Sequence, residues 1–150
     1  MHNIFDFRQP STEEIPSAIE LAWRTFLKFE APDYSKQGID SFYESIHNSE
    51  FISQLKFYGA FKKEKMIGVI ATRKNGSHVA LFFVEESYQG KGIGKRLFQM
   101  ICKENQTGMI TVNSSPYAVS IYKHLGFVPT DVEQITDGIR YTPMIVKGGV

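Results

Sequence analysis

Three glycines on alternate positions, Gly90, Gly92 and Gly94, mark the stretch of this 150-residue sequence that is best suited to binding an anion. They separate an apolar run that ends at Val84, as a buried strand would, from residues with helical spacing. The first N–H groups of a helix have no partner inside it, and the helix dipole adds about half a positive charge there. Glycines, which have no Cβ, let such a backbone approach a phosphate closely. Three basic side chains lie in the same turn: Lys91, Lys95 and Arg96.

The spacing of this loop excludes two common phosphate motifs. A Walker A loop requires Gly-x-x-x-x-Gly-Lys followed by Ser or Thr, whereas Gly94-Lys95 is followed by Arg96. The dinucleotide fingerprint Gly-x-Gly-x-x-Gly requires a third glycine where Lys95 stands. The loop instead fits Gln/Arg-x-x-Gly-x-Gly, spelled Gln89-Gly90-Lys91-Gly92-Ile93-Gly94. This spelling resembles the acyl-CoA pyrophosphate loop of the GCN5-related N-acetyltransferase (GNAT) superfamily.

A second motif follows about twenty residues later, a separation that the resemblance leads us to expect. Apolar residues 109–112 predict a short strand, and Asn113-Ser114-Ser115-Pro116 predicts a cap with proline at the first helical position. Helical spacing continues to Leu125, and Gly126 predicts the end of the helix. Residues 113–127, which end Ile-Tyr-Lys-His-Leu-Gly-Phe, resemble the second half of the acyl-CoA cleft in the same superfamily. The two motifs together cover residues 78–127.

The resemblance implies an N-acetyltransferase that uses acetyl-CoA as cosubstrate, without a metal, and moves the acetyl group directly to a primary amine in a ternary complex. The residues that it implies for the cosubstrate are Phe83, Val84, Gln89, Gly90, Lys91, Gly92, Ile93, Gly94, Lys95, Asn113, Ser115 and Tyr122. In the family two strands separate near the first two of these positions. The N–H groups of Phe83 and Val84 are therefore expected to bind pantetheine and the thioester oxygen.

Tyr122 is the candidate acid for the departing thiol. It stands where the family has the tyrosine of Tyr-x-x-Leu-Gly-Phe. An ordinary phenol pKa of about 10 is close to that of a thiol, so proton transfer between them is nearly balanced. A packing role for the aromatic ring is the alternative.

His78 is the candidate base for the incoming ammonium. Several family members have a Glu or His at this position, and an ordinary pKa near 6.5 lets His accept a proton at neutral pH. Strand alternation predicts that His78 shares a face with Ala80, Phe82 and Val84. A structural role beside the Asn75-Gly76 turn is the alternative, and a water near Glu85 is the second candidate for the base.

The amine acceptor is less constrained. In the family the loop between the first two helices lines the acceptor side, and here residues 29–34 place Glu30 and Asp33 among aromatic side chains. The two carboxylates could hold a cationic amine or simply keep a surface loop soluble. Small amines, amino acids, peptide N-termini and lysine side chains all stay open. Two other function classes also stay open: a non-catalytic acyl-CoA-binding regulatory module, and a nucleotide-binding interaction domain that uses the loop for ATP.

Composition excludes several other classes. Seventeen Lys and Arg against sixteen Asp and Glu give a net charge of +1, which argues against a general nucleic-acid binder. Cys102 is the single cysteine, so no internal disulfide is possible, and the histidines lack the spacing of metal ligands. Residues 1–8 lack a signal-peptide pattern, and no apolar run approaches the roughly 20 residues of a membrane helix. We expect a single cytoplasmic domain over residues 1–150, without membrane or nucleic-acid partners and with homodimerisation possible.

The hydrophobic pattern predicts the elements that position these residues. Strands are expected at residues 3–8, 55–61, 66–73, 77–84, 109–112, 127–132 and 140–146, with helices opening near Glu13 or Glu14, around Ile39–Ile46, after the glycine loop and after Pro116. The order β-α-α-β-β-β-α-β-α-β-β predicts an α/β (α+β) fold. Its mixed, mostly antiparallel sheet has about seven strands and helices on both faces, as in GNAT proteins.

Overall fold

Eight strands and five α-helices make up the part of the chain that a computed structural model describes, residues 4–148. The strands are β1 (Asp6–Arg8), β2 (Lys56–Lys62), β3 (Lys65–Arg73), β4 (His78–Val84), β5 (Met109–Ser114), β6 (Val128–Pro129), β7 (Gln134–Thr136) and β8 (Ile139–Lys147). The helices are α1 (Ile15–Phe29), α2 (Lys36–Ile46), α3 (Ser49–Ser53), α4 (Ile93–Glu104) and α5 (Val119–His124). The predicted order is confirmed, with the short α3 and β7 added. Asn3, predicted in the first strand, lies outside the described residues.

The sheet has the order β1-β2-β3-β4-β5-β8-β6, and β7 pairs with β8. Every pairing is antiparallel except that of β4 with β5, which is parallel and covers only His78–Val79 opposite Thr111–Val112. Beyond Val79 the two strands separate, although both continue. This separation leaves one edge of β4 without a strand partner in the middle of the sheet.

The two faces of the sheet carry separate apolar cores. The apolar stripe of α1 packs with α2 on one face, where Leu21 and Phe26 are almost fully buried. On the other face α4 buries Leu97 and Ile101 against the sheet, together with Phe127. The separated ends of β4 and β5 therefore lie between two layers of packed helices, one on each face of the sheet.

A bulge interrupts the alternation of β4. Ala71 of β3 pairs with Leu81, but the next residue, Thr72, pairs with Val79, so Ala80 is an extra residue in the ladder. Val79 accordingly packs in the same core as Phe82 and Val84, on the α4 face, while Leu81 and Phe83 pack on the α1 face.

The bulge overturns the predicted face of His78. Because His78 precedes Val79 directly, it points to the opposite face from Val79, Phe82 and Val84. Thr111, its partner in β5, lies between the α4-facing residues Ile110 and Val112 and shares the face of His78.

The predicted cap of the helix at residues 113–116 is wrong. β5 continues to pair with β8 as far as Ser114, opposite Thr142, so Asn113 and Ser114 are strand residues. A turn follows in which the Ser115 hydroxyl accepts a hydrogen bond from Ala118 N–H at 3.3 Å, and α5 begins only at Val119. The strand predicted at residues 127–132 is likewise reduced to β6, since its pairing with β8 covers only two residues.

Candidate functional site

A cleft of about 370 Å³ lies between the end of β4, the first turn of α4 and α5; we call it the main cleft. Nine of the twelve residues predicted to bind the cosubstrate line it: Phe83, Val84, Gln89, Gly90, Gly92, Ile93, Gly94, Lys95 and Tyr122. The other three predicted residues do not line it. Lys91 lines neither this cleft nor its neighbour, and Asn113 and Ser115 line a neighbouring cavity. The strand–loop–helix motif read from sequence therefore forms one wall of a real cavity.

The N-terminus of α4 is open towards ligands. Gly92 is the residue that caps the helix, with a positive φ of 80°, and having no side chain it offers no side-chain cap. Gly90 has a similar φ of 78°, so both positions favour glycine for the backbone alone. The N–H groups of the first turn are thus left without a capping side chain at the positive end of a 12-residue helix.

Of the three basic side chains that the sequence places in this turn, only one lines the main cleft. Lys95 lines the main cleft, but the Arg96 guanidinium stacks over the Phe7 ring at 4.0 Å. At Gly94 an added Cβ would meet Phe82 at 3.4 Å, an ordinary contact, so packing within the protein does not require glycine there. A pyrophosphate that approaches the backbone closely from the cleft would instead require glycine at this position, because glycine has no Cβ.

The free edge of β4 supplies backbone donors to the same cleft. Glu85 N–H donates to Ile67 O at 2.9 Å, across to β3. Because alternate N–H groups of an antiparallel pair point to the same side, Phe83 N–H also points to β3 and Val84 N–H points to the opening beside β5. The Val84 carbonyl confirms this direction, since it accepts a hydrogen bond from the Gln89 side chain at 3.0 Å. Of the two predicted donors, only Val84 is directed at the cleft.

Tyr122 lies where the main cleft meets the core. Its ring packs against Phe82 and Phe127, with centroids 6.0 and 5.2 Å apart, and the residue is 6% exposed. Burial, and to a smaller degree the charge of Glu30, raises the pKa of Tyr122 well above its usual 10. The phenol therefore keeps its proton at physiological pH, and it is a weaker acid than the near-balanced donor that the sequence led us to expect.

A second cavity of about 160 Å³ adjoins the main cleft on the α1 and α2 side of the sheet. The two cavities share five lining residues: Glu30, Phe82, Phe83, Ala118 and Tyr122. Asn113 and Ser115, predicted for the cosubstrate, line this second cavity. The shared residues form a boundary across which a group bound in one cavity could react with a group bound in the other.

Glu30 is the titratable group at this boundary. It is the residue that caps the C-terminus of α1, where its backbone N–H donates to Phe26 O at 2.9 Å, and the residue is half-buried. Burial raises the pKa of Glu30 to about 7; interaction with the Ser115 side chain opposes the rise and the charge of Asp33 adds to it. A carboxylate with this pKa can accept a proton at neutral pH. The sequence suggested Glu30 only as a possible cation-binding group, because its burial depends on elements distant along the chain.

The structure does not support His78 as the base. His78 is 8% exposed and lines neither cavity, and its Nδ1 lies 2.8 Å from Thr111 Oγ1. It stands six residues before Val84, about 20 Å along an extended strand. Burial, followed by the charges of Arg73 and Lys74, lowers the pKa of His78 to about 4.

The alternative base near Glu85 is not supported either. The Glu85 carboxylate is 3.1 Å from an Arg24 nitrogen and 3.4 Å from Lys65 Nζ, and it lines neither cavity. Its neighbour Glu86 pairs with Lys28. Both carboxylates are thus engaged in ion pairs.

Residues 4–148 show neither a metal site nor an activated thiol. No group of three or more His, Cys, Asp or Glu side chains there could hold a metal ion, and burial raises the pKa of the Cys102 thiol. None of the helices in this range is long and apolar enough to cross a membrane.

Comparison with known proteins decides the family. Residues 30–147 match the family model of the acetyltransferase (GNAT) domain, which is most of the chain. The chain belongs to the GNAT acetyltransferase family. Among curated relatives, this GNAT domain is 33% identical over 102 residues to "Uncharacterized N-acetyltransferase ycf52" of Gracilaria tenuistipitata var. liui, an alignment that covers 64% of this chain and 53% of the relative. The chain thus spans about half the length of that relative.

Solved structures show the same fold. A structure described as a GCN5-related N-acetyltransferase from Rhodopseudomonas palustris matches the GNAT domain with a TM-score of 0.82 at 16% identity, covering 98% of both chains. The PaiA N-acetyltransferase of Thermoplasma acidophilum, solved in complex with coenzyme A, matches with a TM-score of 0.73 at 23% identity, covering 95% of this chain and 98% of the other. At these identities the likeness concerns the fold.

Proposed function

We propose that this GNAT domain is an N-acetyltransferase that moves the acetyl group of acetyl-CoA directly to a primary amine bound beside Glu30. The observation that carries the proposal is the alignment of three features along one cleft. The open N-terminus of α4 lies at one end, the free edge of β4 follows, and Glu30 and Tyr122 stand at the boundary with the second cavity.

The residues of the main cleft fit acetyl-CoA. The N–H groups of the first turn of α4, with Lys95, would hold its pyrophosphate, and the free edge of β4 would pair with its pantetheine amides. Acetyl-CoA supplies an activated acetyl group as a thioester. Val84 N–H, which points to the opening, is placed to stabilise the negative charge that develops on the thioester oxygen.

Proton transfers at nitrogen and sulfur complete the reaction. Glu30 takes a proton from the incoming ammonium, which frees the nitrogen lone pair to form the new C–N bond, and it later releases this proton to solvent. The nitrogen loses its second proton to solvent as the amide forms. Tyr122 gives its proton to the departing sulfur as the C–S bond breaks, and regains one from solvent afterwards. Both Glu30 and Tyr122 line the two cavities, which supports roles for them as base and acid at one boundary. We also propose a cytoplasmic location, on the sequence expectations alone.

Binding and turnover measured together test this function. Isothermal titration with CoA, with and without ATP, measures occupancy of the main cleft, and release of free CoA thiol in the presence of an amine panel measures transfer. We expect CoA to bind, ATP not to displace it, and thiol release to require an amine. Binding without thiol release on any amine would indicate a regulatory acyl-CoA module, and displacement of CoA by ATP would indicate a nucleotide-binding domain.

A further inference from the structure

The second cavity has a single charged side chain among the described residues that line it, Glu30. The other lining residues are apolar, aromatic or neutral polar, and they come from α2, β4, β5, α5 and β8 and from the loops before α2 and α5. Those that line this cavity and not the main cleft include Tyr34, Phe42, Leu81, Val112, Asn113 and Ile139. The cavity therefore presents one carboxylate and an otherwise largely apolar surface.

Cations near this cavity are engaged elsewhere. The Arg140 guanidinium donates to the Glu133 carboxylate at 2.9 Å and to the Asp33 carbonyl at 3.1 Å. The charge of Asp33 adds to the negative field at Glu30. The cavity thus favours a cationic group against Glu30, and among residues 4–148 its lining offers no cation to a carboxylate on the same ligand.

The walls of the cavity are held rigidly. Phe42 stacks on Phe26 with ring centroids 4.0 Å apart, and the Tyr34 hydroxyl donates to the Arg140 carbonyl at 3.1 Å. The turn before Ile139 packs on α2 through close backbone contact of Gly138 with Gly38, where no side chain would fit on either residue. The cavity is therefore set by packed elements and not by free loops.

Its size limits what the apolar part can hold. A volume of about 160 Å³ is close to that of an apolar cavity of about 150 Å³ known to bind benzene in another protein. One aromatic ring or one short branched alkyl group fits this space.

We propose that the acceptor is a small primary monoamine with a single apolar group and no neighbouring carboxylate. Its ammonium lies against Glu30 and its apolar group fills the second cavity. This inference rests on the proposed function, because it takes the second cavity as the acceptor site of that reaction. An amino acid of the same size would bring its α-carboxylate into a cavity whose described lining residues include one carboxylate and no cation.

Phenethylamine and phenylalanine test the proposal, since they differ by one carboxylate. We expect kcat/KM with acetyl-CoA to be on the order of 10²-fold higher for phenethylamine, because the unpaired carboxylate of phenylalanine is desolvated without compensation. The variant Asn113→Lys adds a cation at an exposed position of the wall and should shift this ratio at least about tenfold towards phenylalanine. The matched neutral variant Asn113→Gln should keep the wild-type ratio.

The outcomes separate the inference from the function on which it rests. Equal or faster acetylation of phenylalanine, or of a short peptide with a free N-terminal alanine, overturns the acceptor class and leaves the acetyltransferase intact. An unchanged ratio in Asn113→Lys also counts against the second cavity as the acceptor site. CoA binding without product from any amine, peptide or amino acid overturns both.

Discussion

Replacing Glu30 by Gln should stabilise the folded protein at neutral and alkaline pH and not at acidic pH. The reason is that burial disfavours the charged form of this carboxyl, raising its pKa in the folded state to about 7 from an ordinary value of 4.5. Below pH 4.5 Glu30 is protonated in both states and contributes no pH dependence. As the pH rises, the unfolded state ionises first, so the free energy of unfolding falls until the folded state also ionises near pH 7.

The size of the effect follows from the shift. A difference of about 2.5 between the two pKa values corresponds to about 3 kcal/mol at about 1.36 kcal/mol for each pH unit. Gln is isosteric and carries no charge, so it does not experience this penalty. The free energy of unfolding of Glu30→Gln minus that of the wild type should therefore rise by about 3 kcal/mol between about pH 4 and pH 8.

Urea unfolding of both proteins at a series of pH values measures this difference directly. Taking the difference at each pH removes the contributions of other groups, including that of His78, whose lowered pKa acts in the opposite direction. A difference that stays constant from pH 4 to pH 8 would refute the raised pKa of Glu30. It would also remove the main physical reason for assigning Glu30 as the base.

Three further variants test the other assignments. Tyr122→Phe should lower kcat about 10²-fold while CoA affinity by calorimetry stays near the wild-type value, and a near-normal kcat would return Tyr122 to a packing role. Gly94→Glu should abolish CoA binding by steric block and repulsion, with Gly94→Ala as the folding control because its Cβ makes only ordinary contacts; unchanged affinity in a folded Gly94→Glu protein would reject the loop assignment. His78→Gln should remove the loss of about 3 kcal/mol in stability between about pH 6.5 and pH 4, and leave the acidic limb of kcat/KM near pH 7 in place. Glu30→Gln should abolish that limb, and the reverse result would restore His78 as the base.

The strand–loop–helix wall of the main cleft could be predicted from sequence because its signals are local. The apolar run before Val84, the glycines and the helical spacing after Ile93 each depend on neighbours within a few residues. The order of the elements followed from the same kind of pattern. α3 and β7 were missed because each is only a few residues long.

The position of His78 could not be predicted because it depends on strand pairing. The extra residue at Ala80 arises from the register between β3 and β4, and nothing in the residues near Ala80 indicates it. The cap expected at Asn113 failed for a similar reason, since pairing with β8 extends β5 through that position.

Glu30 illustrates the limit of sequence reasoning about chemistry. A glutamate at the end of an amphipathic helix is typical of an exposed residue, and only the packing of α1 against β4 and the approach of the turn that contains Ser115 bury it. Its raised pKa and its place between the two cavities are properties of the folded chain. The cytoplasmic location and homodimerisation expected from sequence stay predictions.

The most direct test of the account is mass spectrometry of a reaction with isotopically labelled acetyl-CoA. The protein is incubated first with labelled acetyl-CoA alone and then with phenethylamine, and the intact protein and the small-molecule products are analysed at each stage. Direct transfer predicts no label on the protein before the amine is added, and labelled N-acetylphenethylamine with an equal amount of free CoA afterwards. Label on the protein before amine addition would contradict direct transfer. Absence of labelled product from phenethylamine and from every other amine, with CoA still bound, would contradict the proposed acetyltransferase itself.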